Sequence, residues 1–290
     1  MSTATLEKKV VKAKKPAKVQ RVQFEEKHIT PKPSSKEVAK IAADIQVHQR
    51  LRVWHLKSRN MVQNRLRATV AGTIGYSTGM DKEERAKLFK QADKMIAKIV
   101  KGELESDLHA LVCIAWQSVQ AFDTEAKLHE GIMIGLVKQL PIAVWLADEQ
   151  QRGLGCGFAA QVIGECGDLS GYVNPGKVWR RMGCAPYTKE GETWMGATWR
   201  GRANAEKGTV KLNAEDWSAY GYSPRRRSVA YLIGKNCEMQ NKSIYRKRYD
   251  EAKTAIAAKH PDYKPGRCDN HAMLLAAKLF LKNLWIVWNK

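Results

Sequence analysis

The chain has 290 residues, with 50 Lys and Arg against 29 Asp and Glu and a formal net charge of +21. A positive surplus of this size draws polyanions and is the footprint of a nucleic-acid binder. The longest apolar runs, Leu111–Trp116 and Ile132–Val137, are too short to span a bilayer, so no membrane partner is expected. Hydrophobic residues make up 44% of the chain, enough for a substantial core in one or two domains. None of the six cysteines lies in a Cys-x-x-Cys pair, so reduced, mostly buried thiols are expected and a zinc site is not. With no export signal read, the expected location is the cytoplasm of a bacterial host, at the nucleoid.

Residues 1–36 form a basic tail in which Lys8, Lys9, Lys12, Lys14, Lys15, Lys18 and Arg21 sit among Ala, Val and Pro. That composition cannot bury a core and predicts disorder. A helical, coiled-coil-like region is expected over 37–140. Ser35 reads as the N-cap of a helix over 36–71, with Ile41, Ile45, Leu51, Trp54, Met61, Val62 and Leu66 at helical spacing. Gly72 to Gly79 breaks it. Further amphipathic helices are expected over 81–101, 104–116 and 122–139, the last ended by Pro141, and this half offers a surface for homo-oligomerisation. Asp123, Glu125, His129 and Glu130 invite a metal reading. Carboxylates on a helix face are more often only solvated, and the residues are read that way, with no metal ligand assigned.

The most informative stretch is 153–169, Gly-Leu-Gly-Cys-Gly-Phe-Ala-Ala-Gln-Val-Ile-Gly-Glu-Cys-Gly-Asp-Leu. It predicts a helix-hairpin-helix: a first helix over 142–151, a turn at Gly153-Leu154-Gly155 and a second helix over 158–165. The glycines supply positive φ and close backbone approach. The turn sets the N–H groups of a helix N-terminus toward a phosphate oxygen. Such a unit grips a nucleic-acid backbone without reading bases. Gly153, Gly155 and Gly157 are therefore candidate DNA-binding residues.

Pro175 then opens a short helix carrying Lys177, Arg180 and Arg181, with Val178, Trp179 and Met182 as its buried side. Residues 187–223 form a Trp-rich polar insertion. Basic residues such as Arg200 and Arg202 alternate there with Trp194, Trp199 and Trp217, a pattern suited to nucleic-acid contact or to a small separate core. The echo of 193–196 in 198–201 predicts two turns or a short hairpin. Ser223-Pro224 opens the next helix with Arg225, Arg226 and Arg227 in its first turn, against the macrodipole, which points to an external anion. A charged helix over 244–259 and a final apolar helix over 271–288 close the chain.

Several of these elements resemble the C-terminal domain of the insertion-sequence one-ten family of transposases. They are the glycine hairpin with Gly167-Asp168-Leu169, Asn174-Pro175-Gly176-Lys177-Val178-Trp179, Met182-Gly183-Cys184-Ala185-Pro186, the Tyr245–Lys253 helix, and the Lys278–Trp288 segment with its Phe280-Leu281 and Leu284-Trp285 pairs. The resemblance spans roughly 40–290 and implies a transposase-like domain over 141–290. Full members begin with a RuvC-like domain holding metal on an acidic set, which has no counterpart here, and they carry a catalytic serine after the Gly-x-x-Pro element. The nearest serines are Ser218 and Ser223, in sequence that does not match that motif, so the catalytic residues are unknown. The fold class expected is mainly α. The function expected is DNA binding by a transposase relative from a phage or mobile element, with structured RNA as a second polyanion. No cofactor is expected. An active recombinase, using one of those serines or a Mg²⁺-dependent domain supplied in trans, is one alternative reading. A non-enzymatic structural protein of a phage is the other.

Overall fold

The computed structural model describes residues 35–189, 192–194, 221–240 and 242–290. Most of the basic tail lies outside the described residues, as do Arg200, Arg202, Ser218, Trp199 and Trp217. The chain is mainly helical: α1 (Ser35–Thr73), α2 (Lys82–Val100), α3 (His109–Val137), α4 (Ile142–Leu146), α5 (Cys156–Cys166), α6 (Pro175–Arg181), α7 (Pro224–Met239), α8 (Ile244–Lys259) and α9 (Pro265–Trp288). Short 3-10 turns, Glu149–Gln151 and Leu169–Gly171, flank α5. A small antiparallel hairpin pairs β1 (Tyr187–Lys189) with β2 (Glu192–Trp194), setting Tyr187 opposite Trp194 and Lys189 opposite Glu192. Among the described residues, no helix is long and apolar enough to cross a membrane.

Local chemistry accounts for most boundaries. Asp81 caps α2 by accepting from the Glu83 N–H, and Asn174 caps α6 by accepting from the Lys177 N–H. Pro stands in the first turn of α6, α7 and α9, where its missing N–H costs nothing. Two expectations fail. The helices expected over 104–116 and 122–139 are one continuous α3, because no Gly or Pro lies between Trp116 and Phe122 to interrupt it. The helix expected to run to residue 151 ends at Leu146, where Asp148 turns the chain into a 3-10 turn by accepting from the Gln150 N–H. The echo at 193–201 lies mostly outside the described residues.

α1 and α3 run antiparallel. Arg52 meets Glu130 at 3.4 Å and Arg59 meets Asp123 at 2.7 Å, so positions ascend on one helix as they descend on the other. The described residues form one compact unit, and two apolar clusters are found among them. The smaller gathers Leu66, Val70, Ile96, Ile99 and Val112 from α1, α2 and the start of α3. The larger runs from Ala42 and Ile45 through Val137, Ile163 and Ile233 to Phe280 and Leu284, so it crosses the domain boundary expected at 140. The α1–α3 segments between them bury Val53, Val119 and Ala126 and carry a polar set, His48, Arg52, His55 and Arg59 against Asp123, His129 and Glu130.

α5 packs on α1 through Gly164, where an added Cβ would stand 2.5 Å from the Gln49 Cβ. That backbone contact is open only to glycine. Gly164→Ala is expected to lower stability by about 1–3 kcal/mol through overpacking, read as a fall in thermal midpoint. At the α8–α9 joint, Lys253 lies 2.7 Å from Asp269 and the Tyr249 hydroxyl donates to it at 2.8 Å. Lys253 first, then Tyr249, holds the Asp269 carboxyl below its ordinary 3.8. The folded chain thus favours the carboxylate. Its contribution is complete above pH about 4 and vanishes as pH falls through the lower folded-state value. Asp269→Asn should be less stable than the wild type at neutral pH, and the gap should close in an acid titration followed by circular dichroism.

Candidate nucleic-acid interface

The glycine turn enters α5 as expected, but its glycines do different work. Gly153 has φ +83°, and a Cβ there would fall 2.1 Å from the Gln240 Cγ at the end of α7. Both the conformation and the contact demand glycine. Gly155 does not need positive φ, contrary to expectation: it is the α5 N-cap, extended at φ −73°, with nothing within 4 Å of an added Cβ. Gly157 has only the Ile134 side chain at 3.8 Å. The first turn of α5 is half-buried, and the Phe158 and Ala159 N–H groups donate to the Gly155 carbonyl at 3.1 and 3.3 Å.

At the opposite end of α5 sits Glu165, whose side chain is 1% exposed. It accepts from Gln49 Nε2 of α1 at 2.8 Å and from an Arg225 guanidinium nitrogen of α7 at 2.8 Å. Arg226 Nε stands 3.6 Å away, within ion-pair range but outside hydrogen-bond geometry. Arg181 of α6 donates to the Glu165 backbone carbonyl at 3.3 Å. Burial first, then the Arg181 charge, lowers the Arg226 pKa from its ordinary value. Two guanidinium groups thus meet the Glu165 carboxylate and a third meets its main-chain carbonyl, a local surplus of two positive charges. The cations that oppose the α7 macrodipole find their anion inside the protein, at Glu165, rather than only outside it.

The structure brings Arg181, Arg225 and Arg226 together, with Arg227 turned inward so that its guanidinium lies 3.8 Å from Cys184 Sγ. Lys177 and Arg180 are exposed on α6. Gly153, Gly155 and Gly157 lie at the other end of α5, about 16 Å along its axis. Ser223 is the N-cap of α7 and makes no side-chain capping bond.

The residues that carried the family resemblance have structural roles. Asp168 accepts from the Ser170 N–H and from Trp288 Nε1, both at 2.9 Å. Trp285 Nε1 donates to the Tyr172 carbonyl at 2.9 Å, and Trp179 Nε1 to the Lys278 carbonyl at 3.0 Å. The Tyr172 hydroxyl closes back on the Cys166 carbonyl at 2.9 Å. The final helix is thus clamped to the loop after α5.

Of the acidic group on α3, Glu125 is exposed as expected, whereas its neighbours are paired. Asp123 is paired with Arg59 and Lys127, Glu130 with Arg52, and His129 Nδ1 lies 2.9 Å from His48 Nδ1. Lys127 first, then Arg59, holds the Asp123 carboxyl below its ordinary value. Burial first, then His48 and His55, does the same to His129. Sequence reasoning passed over His48 and His55. Their seven-residue separation, two helical turns, puts both on one face of α1 and was the available signal.

No family model matches the chain, and neither a curated protein nor a solved structure matches it.

The two turn glycines separate in a mutational test. Gly153→Ala is expected to cost about 1–3 kcal/mol in strain alone, with the Gln240 clash in addition. Gly155→Ser places a good capping residue in open space and should leave the thermal midpoint unchanged or higher. Equal losses in the two variants would contradict the assignment.

Proposed function

We propose that the chain binds DNA through the phosphate backbone, as a non-catalytic relative of the insertion-sequence one-ten transposases. The observation that supports this most is the Arg181–Arg225–Arg226 group, where two guanidinium groups meet the buried Glu165 carboxylate and a third its main-chain carbonyl, within a chain of net charge +21. Held against Glu165, Arg225 and Arg226 lose less side-chain freedom on binding than free arginines would. Guanidinium groups match phosphate geometry by paired N–H donors. The half-buried first turn of α5 offers the Cys156 and Gly157 peptide N–H groups as a second phosphate contact, and exposed Lys177 and Arg180 add further positive charge on α6. Contacts of this kind position a duplex without specifying its sequence.

The test is fluorescence anisotropy with the full chain, a labelled duplex and a structured RNA. Duplex affinity should fall about a thousandfold or more between about 50 and 200 mM salt, as expected when six or more phosphates are neutralised. Arg225→Gln keeps a donor for Glu165 but removes the charge. It should weaken binding alike on unrelated sequences and lower the salt slope by about one. A flat salt response overturns the reading, and tighter binding to the structured RNA replaces DNA by RNA as the ligand.

A further inference from the structure

The α1–α3 seam gathers more metal-ligating chemistry than its packing requires. One ligand atom each from His55, Glu125 and His129 lies within 4.8 Å of the other two. The His55 and His129 rings are stacked with centroids 5.4 Å apart, and the His48 ring centroid lies 5.1 Å from that of His129. His55 Nδ1 is buried and has no hydrogen-bond partner. A buried, unpaired ring nitrogen carries a desolvation cost that a hydrogen bond or a metal ion would remove. The neighbouring charges are accounted for: Arg52 is held by Glu130, while Arg59 and Lys127 are held by Asp123.

We propose that His55, Glu125 and His129 form a binding site for a divalent transition cation of the zinc class, bridging α1 and α3. Two imidazoles and one carboxylate are the three-protein-ligand set that leaves a further coordination position open. Glu125 and His129 stand four residues apart on one helix face, the spacing that brings side chains together for a shared ion. His55 reaches the same point from α1. Zinc–ligand bonds of about 2.0–2.1 Å require neighbouring ligand atoms about 3.3 Å apart. The three ligand atoms, within 4.8 Å of one another, reach that spacing by side-chain adjustment, and Glu125 is exposed. His48 is a positioning residue. Its hydrogen bond to His129 Nδ1 fixes the ring orientation, as partners of metal-bound histidines commonly do.

The site is independent of the nucleic-acid reading and is tested without nucleic acid. Isothermal titration of the full chain with ZnCl₂ should give one strong equivalent, and Co²⁺ should give the visible absorption bands of a low-symmetry protein site. Zinc at about 100 times its Kd should shift the unfolding equilibrium about 100-fold toward the folded chain. His55→Ala, His129→Ala and Glu125→Gln should each abolish the strong equivalent. His48→Ala should weaken it about 10–100-fold at unchanged stoichiometry, and His48→Gln should recover part of that loss. Glu125→Gln is isosteric at an exposed position, so it remains informative if a histidine variant fails to fold. His260→Ala should change nothing. Full zinc binding in Glu125→Gln or His55→Ala, or loss of it in His260→Ala, overturns the proposal, as does the absence of any saturable equivalent in the wild type.

Discussion

Glu165 is the point at which the helices are tied to one another. It is almost wholly buried, and an isolated carboxylate in that position would cost several kcal/mol. Its oxygens are satisfied from α1 by Gln49 and from α7 by Arg225, with Arg226 nearby, and α6 reaches its main-chain carbonyl through Arg181. Glycine at 164 brings α1 close enough for Gln49 to make its bond. Four helices must therefore be in register before this charge can be buried at acceptable cost. The same arrangement draws three guanidinium groups to one place on the surface. The feature that disciplines the fold also concentrates positive charge.

The α1–α3 pair shows a second form of specification. Apolar contacts tolerate sliding by a turn, whereas the cross-helix pairs of Arg52 with Glu130 and Arg59 with Asp123 do not. Pairs at partly exposed positions add little stability, yet any other alignment would leave partly buried charges unmatched. With a hydrophobic cluster at each end, the polar stretch fixes which turn of α1 faces which turn of α3. Three histidines fall in this stretch, so register and the candidate cation site arise from the same set of side chains.

Short-range signals were legible in the sequence. Ser35 at α1, Asp81 at α2, Asn174-Pro175 at α6 and Ser223-Pro224 at α7 mark starts that the structure keeps to within a residue or two. Trp179, Trp285 and Trp288 read as packing residues, and they pack. Long-range partners were not legible. Nothing local shows that Arg225 and Arg226 would meet Glu165, or that His55 would stack on His129, because those pairings depend on how helices distant in sequence are brought together. α3 was divided wrongly because Gln117 to Ala121 carry little apolar signal, although no residue among them breaks a helix. Gly155 was misjudged because a glycine cluster does not say which member holds the positive φ.

The cysteines are graded by depth. Burial pushes the Cys166 and Cys237 thiols up to about 12 and raises that of Cys184, while Cys268 is enclosed. Thiolate is the reactive form, so these four are poor targets for alkylating reagents in the folded chain. Cys113 and Cys156 are the two that reach solvent in part. Cys156 occupies the first turn of α5, directly after the turn that Gly153 and Gln240 lock together. The fold therefore carries its own attachment point for a fluorophore or spin label beside one of the surfaces proposed to meet phosphate, with only Cys113 to be replaced beforehand.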